Sequence, residues 1–233
     1  VPVYSHRVDP ATGLHLLCMP YFGRITLSHI LADPETSSLH YGGDLAAKLD
    51  QLAPNEGLNP NHSEGRKALG CRTFTRAIAG WGARLAEALQ HAHDRGVLHR
   101  DIKPSNVLVT ADAMPMLLDF NLSREPLIDG EEEGTSGTLG GTIDYMAPEH
   151  LEALALGSPE GVDSRSDIFG LGVVLYESLM DERPFQAIRK GSSVSEAFRR
   201  AADERRQEAP RLRETHPELP VALEVVIRRC LEP

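Results

Sequence analysis

The sequence predicts an α+β domain whose body is mainly helical and whose strands are few and short. Apolar residues recur at helical spacing along 73–95 and form one stripe that can face a core. Residues 168–175 are apolar on nearly all sides, which a helix tolerates only when it is buried. Short alternating segments occur within 1–22 and around 107–118, where polar turns separate them.

The composition fits one globular unit and argues against several classes of protein. The chain has 233 residues, of which 41% are hydrophobic, and its formal net charge is -10. A nucleic-acid partner is not expected, because phosphate backbones are bound by clustered Lys and Arg. Cys18, Cys71 and Cys230 lie too far apart in sequence for paired metal ligands, so we expect reduced thiols and a cytoplasmic location, without zinc or a disulfide. No apolar run approaches the ~20 residues that span a bilayer, so a membrane anchor would have to come from other regions of a parent protein.

The first 70 residues are predicted to contain a sheet edge and a loose insertion. Residues 1–22 alternate like two short strands around the turn 9–13, with the second strand at 14–19, and form an antiparallel sheet edge. Residues 33–70 are rich in Gly, Pro, Asn and Ser. We therefore expect a loose insertion there, with one helical turn near 45–52.

Most of the remaining chain is predicted to be helical. The helix over 73–95 ends at Gly96 and packs on the core through an apolar stripe of Ile78, Trp81, Leu85, Leu89 and Ala92. The segment that includes 168–175 is expected to form the central helix. Residues 192–206 and 219–231 are predicted to form two amphipathic helices, separated by a loop that contains Pro.

A predicted hairpin brings two oxygen-bearing side chains together. Asn106 precedes a short strand at 107–110, and Asp119 follows a second short strand at 114–118. Because the strands are similar in length, the hairpin returns Asp119 to the end where Asn106 lies. A carboxylate and an amide oxygen are ligands of the kind that Mg²⁺ takes, with positions left open for substrate phosphates.

The loop before this hairpin, His-Arg-Asp-Ile-Lys-Pro-Ser-Asn at 99–106, carries two more charged groups that suit phosphate chemistry. Asp101 can orient an incoming hydroxyl and accept its proton, while Lys103 can neutralise charge on a phosphoryl group. Four motifs occur in order: His-Arg-Asp at 99–101, Asn106 five residues on, Asp-Phe at 119–120, and Ala-Pro-Glu at 147–149, which ends the run Gly-Thr-Ile-Asp-Tyr-Met-Ala-Pro-Glu from 141. By these motifs the chain resembles the catalytic domain of eukaryotic-type (Hanks-type) serine/threonine protein kinases.

The resemblance implies a protein-kinase-like fold with a mainly helical C-lobe, a hinge and the last strands of the N-lobe. Residues 1–22 would be the end of the N-lobe sheet and the hinge, and 23–233 the C-lobe, with the insertion at 33–70 and the activation segment at 119–149. The implied reaction is transfer of the γ-phosphoryl group of ATP to Ser or Thr hydroxyls of protein substrates, with Mg²⁺ as cofactor.

The resemblance also implies roles for the motif residues. Asp101 would be the catalytic base and Lys103 the lysine that contacts phosphate. Asn106 and Asp119 would be the metal ligands. Thr142 resembles the threonine that braces the base and the lysine and favours Ser or Thr acceptors over Tyr.

Other motif residues are implied to act outside the reacting centre. Arg100 would bind a phosphate on the activation segment, where candidate sites are Thr135, Ser136 and Thr138. The acidic run 131–133 that precedes them is equally well explained as a solvated loop. Asp167 would hold the backbone of the catalytic loop, and His99 and Phe120 would be packing residues.

The nucleotide base is expected against the hinge. Met19 would be the gatekeeper, backbone groups of Pro20 and Phe22 would contact adenine, and Leu108 would form the floor under the ring. Proline suits the first hinge position because it retains the carbonyl that the family uses and lacks only the N–H. Met19 and Leu108 are also plausible core residues.

The sequence departs from the family pattern in three places. The glycine-rich loop, the strand lysine and the paired helix glutamate, which in the family come before the position of Val1, are missing from the sequence. We therefore expect a truncated domain with little or no activity of its own. Asn121 replaces the usual Gly after Asp-Phe, although Asn tolerates a positive φ. The chain also stops at Pro233, before the family arginine that pairs with the glutamate at the position of Glu149.

Two alternatives to a protein kinase stay open. A nucleotide-binding pseudokinase or scaffold module would explain Asn121 and the missing glycine-rich loop. A small-molecule kinase of the aminoglycoside type would share the base and the metal ligands on a similar hairpin. Kinases of that type should lack the Ala-Pro-Glu and the threonine that this chain has at 147–149 and at Thr142, so this alternative ranks last.

Overall fold

The computed structural model describes residues 4–10, 12–18, 20–33, 36, 39–52, 64–120, 141–157, 161–187 and 193–233. Two antiparallel strand pairs occur, formed by β1 (Ser5–Val8) with β2 (His15–Cys18) and by β3 (Val107–Val109) with β4 (Pro115–Leu117). The helices are α1 (Leu27–Leu31), α2 (Gly42–Leu52), α3 (Glu64–Gly70), α4 (Phe74–His93), α5 (Pro148–Leu156), α6 (Ser164–Met180), α7 (Val194–Arg205), α8 (Leu212–Thr215) and α9 (Val221–Cys230). The predicted α+β class with a mainly helical body is confirmed.

The predicted N-terminal hairpin is present. In β1 and β2, Ser5 pairs with Cys18 and Val8 pairs with His15. The turn closes where the Asp9 N–H donates to the Leu14 carbonyl at 2.9 Å.

The expectation of a loose insertion over 33–70 is wrong for much of its described part. The helix α2 spans eleven residues and buries Leu45 and Leu49, and α3 follows after residues that lie outside the described ranges. A Cβ at Gly42 would lie 2.1 Å from the Leu69 carbonyl oxygen, so only glycine permits this close approach of α2 to α3. Gly42 therefore serves packing, whereas a Cβ at Gly43 or Gly70 would have no neighbouring atom within 4 Å.

The core forms where α4 meets α6. Thr73 is the N-cap of α4 and accepts a hydrogen bond from the Arg76 N–H at 3.3 Å. The predicted stripe is confirmed, since Ile78, Trp81, Leu85 and Leu89 are buried and Ala92 is partly buried. Gly96 follows the helix with φ 71°. The helix α6 is buried along most of its length, as its apolar sequence predicts.

The C-terminal part contains the two predicted amphipathic helices, α7 and α9, and a short helix that the sequence did not predict, α8, between them. The α7 residues Phe198 and Ala202 pack against α5 and against Ile143 and Met146 in a hydrophobic cluster separate from the main core. None of the helices in the described part of the chain is long and apolar enough to cross a membrane.

Candidate active site

The catalytic-loop backbone is fixed by one buried carboxylate. Asp167, in the first turn of α6, is 1% exposed. Its Oδ2 accepts hydrogen bonds from the His99 N–H at 2.8 Å and from His93 Nε2 at 2.7 Å, and its Oδ1 accepts one from the Arg100 N–H at 2.7 Å. Arg100 has φ 66°, an unusual value for a residue other than glycine. This conformation directs two consecutive N–H groups to one carboxylate, which confirms the contact expected of Asp167.

The buried His99 ring connects the catalytic loop to the hairpin. His99 Nε2 lies 2.7 Å from the Leu118 carbonyl oxygen, which can only accept, so Nε2 carries the proton. Nδ1 then accepts from the Asp101 N–H at 3.3 Å. Burial lowers the pKa of His99, consistent with this neutral tautomer. The ring centroids of His99 and Phe120 are 4.6 Å apart, so both residues pack as expected.

Four of the predicted site residues form one polar cluster. Asp101 Oδ2 lies 2.8 Å from Asn106 Nδ2 and 3.0 Å from Lys103 Nζ. Asn106 Nδ2 also donates to the Asp101 carbonyl at 2.7 Å. Lys103 Nζ donates to Thr142 Oγ1 as well, so the lysine connects the aspartate to the threonine. The cluster orients the Asp101 carboxylate through Oδ2.

The other oxygen of Asp101 has a different environment from Oδ2. Oδ1 is out of contact with solvent and accepts no hydrogen bond among the described residues. An acceptor without a donor in such a place is costly, and functional sites are where such groups persist. A hydroxyl that reaches Oδ1 would satisfy it, provided that the surrounding side chains open a path.

The hairpin places Asp119 beside Asn106. Val107 pairs with Leu117 in the β3–β4 register, and the Leu118 N–H donates to the Asn106 carbonyl at 2.9 Å. Asp119 comes next, exposed and with φ 57°. The Asp119 carboxylate and the Asn106 amide oxygen have no hydrogen-bond or ionic partner within the described ranges. Two oxygen atoms that no described residue contacts by a hydrogen bond or ion pair, and that could ligate a cation, therefore lie near one end of the hairpin.

Only three of the four residues predicted to contact the nucleotide base lie within the described part of the chain. Met19 lies outside the described residues. Pro20 and Phe22 are partly buried, and Leu108 is 5% exposed in β3, where it forms a bridge with Thr26. Leu108 is thus a core residue, and the adenine contacts stay predictions.

Most of the predicted activation segment, with Asn121, the candidate phosphorylation sites and the acidic run, also lies outside the described residues. Arg100 Nε is out of contact with solvent and has no hydrogen-bond partner in the described part of the chain. The phosphate contact of Arg100 stays a prediction.

Several contacts of the segment Thr142–Tyr145 were not predicted. Tyr145 donates its hydroxyl to Glu177 Oε2 at 2.8 Å, and Asp144 forms an ion pair with Arg183. Burial raises the pKa of Glu177 and the pKa of Tyr145. The one available signal was Glu177 itself, a charged residue late in an otherwise apolar helix, which needs a polar partner if it is buried.

Comparisons with known proteins find similarity over most of the chain. Residues 68–233 match the family described as protein kinase domain. The chain is 34% identical over 155 residues to a probable serine/threonine-protein kinase of Clostridium acetobutylicum, covering 66% of this chain and 21% of that protein. It is 33% identical over 118 residues to the serine/threonine-protein kinase PknB of Mycobacterium tuberculosis, covering 51% and 17%. It is 38% identical over 103 residues to the serine/threonine-protein kinase AtPK1/AtPK6 of Arabidopsis thaliana, covering 44% and 20%. The chain thus spans about a fifth of the length of these relatives.

Proposed function

Because the chain belongs to the protein kinase family, as the match over residues 68–233 establishes, we propose that it transfers the γ-phosphoryl group of ATP to Ser or Thr hydroxyls of protein substrates. The cluster of Asp101, Lys103, Asn106 and Thr142 carries this proposal. These side chains come from two segments that are 39 residues apart at the Lys103–Thr142 contact, yet they join in one network. This connectivity between the two motifs supports the proposed activity.

In the proposed reaction Asp101 is the base and Lys103 the electrostatic group. Asp101 Oδ1 accepts the proton of the acceptor hydroxyl as the hydroxyl oxygen forms a bond to the γ-phosphorus. The bond from the γ-phosphorus to the bridging oxygen breaks, and ADP leaves with that electron pair. The Lys103 ammonium lies 3.0 Å from Asp101 Oδ2, so a phosphoryl group transferred to a hydroxyl held by Asp101 would have a positive charge nearby.

Asn106 and Asp119 are proposed to hold Mg²⁺. Their free oxygens are hard ligands that suit this ion. The Asn106 amide nitrogen is already committed to Asp101, which leaves the amide oxygen for a cation. When bound, the ion supplies positive charge to the ATP phosphates.

Thr142 is proposed to define the acceptor class. Its hydroxyl accepts a hydrogen bond from Lys103 and so tethers the segment Thr142–Tyr145 to the catalytic loop. A short Ser or Thr side chain can then reach Asp101, whereas a Tyr hydroxyl extends further from its backbone.

The domain limits follow the same proposal, with 1–22 as the last N-lobe strands and the hinge, 23–233 as the C-lobe and 119–149 as the activation segment.

The test is phosphate transfer by the full-length protein. Labelled phosphate from ATP is followed onto a mixture of Ser, Thr and Tyr peptides for the wild type, Asp101→Asn and Asp119→Asn. The matched control is Asp112→Asn, the same change at an exposed aspartate in the turn between β3 and β4. We expect the two site variants to lower kcat by about a hundredfold or more and the control to stay within about twofold of the wild type.

Two outcomes would contradict the proposal. Equal transfer by the wild type and both site variants would exclude Asp101 and Asp119 from the chemistry. Nucleotide-dependent thermal stabilisation of the wild type without any transfer would instead favour a pseudokinase or scaffold module.

A further inference from the structure

Arg205, the last residue of α7, is a buried cation for which the described residues provide no ion pair. It is 1% exposed. Its Nη2 donates to the carbonyl oxygens of Ile143 and Asp144 at 3.1 Å each. Its Nε and Nη1 are out of contact with solvent and have no hydrogen-bond partner among the described residues. Burial lowers the pKa of Arg205 to about 10, so the side chain remains charged at neutral pH.

A cation in this position is hard to explain by stability alone. Buried charges cost several kcal/mol unless they are fully paired, and apolar residues of similar volume often replace them without loss. The surroundings are already apolar, because Phe198 and Ala202 of the same helix pack against Ile143 and Met146. A hydrophobic side chain at 205 would extend this cluster, so what the arginine adds is the contact with two consecutive backbone carbonyls.

Those carbonyls belong to the segment that carries Thr142. Thr142 Oγ1 accepts from Lys103, and Asp144 is held from another side by its ion pair with Arg183. Arg205 therefore binds the backbone directly beside Thr142, the residue that connects this segment to the catalytic loop. A shift of about 1 Å in a positioning group can cost a hundredfold in rate.

We propose that Arg205 is a positioning residue of the phosphotransfer reaction: it fixes the Ile143–Asp144 backbone and, through it, Thr142, so that α7 sets how the acceptor hydroxyl meets Asp101. This role rests on the proposed function. It makes α7 part of the acceptor site although its residues are not predicted to touch ATP.

Steady-state kinetics of the full-length protein with a Ser or Thr peptide test this role. Arg205→Met keeps an unbranched side chain and removes every donor, whereas Arg205→Lys keeps a charge and a donor. We expect Arg205→Met to lower kcat/KM for the peptide by about tenfold or more, with KM for ATP within about twofold of the wild type. Arg205→Lys should recover part of the loss. The matched control is Arg199→Met, the same change at an exposed arginine of α7, which should leave both constants unchanged.

A double-mutant cycle with Thr142→Ala separates positioning from a general loss of stability. If Arg205 acts through Thr142, the two changes are coupled, and Thr142→Ala costs less in the Arg205→Lys background than in the wild type. If Arg205→Met does not fold, as thermal unfolding would reveal, Arg205→Lys and the cycle decide.

Purely multiplicative effects in the cycle, or an unchanged kcat/KM for the peptide in folded Arg205 variants, would overturn the role of Arg205. A rise in KM for ATP as large as the loss in kcat/KM for the peptide would also overturn it, because it would show that the change acts on ATP binding. A wild type that transfers no phosphate would overturn the proposed function first and this role with it, so the two failures are distinguishable.

Discussion

Replacing Asp167 with asparagine should destabilise the protein, because one carboxylate there satisfies three donors. Oδ2 accepts from the His99 N–H and from His93 Nε2, and Oδ1 accepts from the Arg100 N–H. In the least costly arrangement the asparagine oxygen takes the Oδ2 position and the amide nitrogen faces the Arg100 N–H. One hydrogen bond to a charged group is then lost, and a buried donor has no acceptor.

The magnitude follows from these contacts. Hydrogen bonds to charged groups contribute about 1.5–3 kcal/mol, and an unsatisfied buried donor costs about 1–3 kcal/mol. Because both figures describe the loss of the same contact they are not added, and we expect Asp167→Asn to lower the free energy of unfolding by about 1.5–3 kcal/mol. Asp167→Ala, which leaves all three donors unpaired, should lower it by about 3–5 kcal/mol. Either loss is large against the roughly 5–15 kcal/mol of a typical domain.

Urea unfolding measures both variants against Asp203→Asn, an aspartate whose side chain is 77% exposed. The control should change the free energy of unfolding by no more than about 0.5 kcal/mol. A change below about 1 kcal/mol for Asp167→Asn would refute the reasoning, since it would mean that the catalytic-loop backbone does not depend on this carboxylate.

Three further predictions concern the surroundings of the site. Tyr145→Phe removes the hydroxyl that donates to Glu177 and should lower the free energy of unfolding by about 1–3 kcal/mol in urea; no change would contradict the contact. Burial lowers the pKa of His150, so the unfolded chain takes up a proton first as the pH falls. The stability due to neutral His150 is then present above the unfolded pKa of about 6.5 and is lost as the pH falls through the lowered folded pKa. The melting temperature should therefore fall as the pH falls from about 7.5 to 5, and His150→Gln should make this fall less steep in thermal unfolding. An equally steep slope would exclude His150 as its source. A Cβ at Gly172 would lie 2.8 Å from the Cys230 Cβ, so Gly172→Ala should cost about 1–3 kcal/mol in urea unfolding, and wild-type stability would show that α9 moves aside.

Elements with a strong local pattern were predictable from the sequence. The helix α4 has an apolar stripe, an N-cap at Thr73 and a glycine stop at Gly96, and each of these signals acts within a few residues. The β3–β4 hairpin was predictable because equal strand lengths fix which residues meet, and the contact of Asp101 with Asn106 spans only five residues. The sequence therefore predicted the hairpin and placed Asp101 and Asn106 in one loop, but it did not predict the hydrogen bond between their side chains.

The rest depended on contacts between distant segments. The helix α2 begins with two glycines, and its burial depends on α3, which the composition does not reveal. Arg205 ends an amphipathic helix, where an arginine is ordinarily exposed, and it is buried only because Ile143 and Asp144 present carbonyls to it. The contact of Lys103 with Thr142 was expected from the family resemblance alone, since no periodicity relates residues 39 positions apart.

The two halves of the candidate site are both attached to α6. Asp167 in its first turn holds the catalytic loop, and Glu177 ten residues later accepts from Tyr145 in the segment that carries Thr142. Ten residues of helix span about 15 Å, and the intervening side chains, from Phe169 to Tyr176, are buried. Close-packed protein interiors deform little, so the distance between Asp167 and Glu177 is nearly fixed. The apolar character of α6 is therefore a condition of the site, because a helix free to shift would move the Asp101 loop and Thr142 relative to each other.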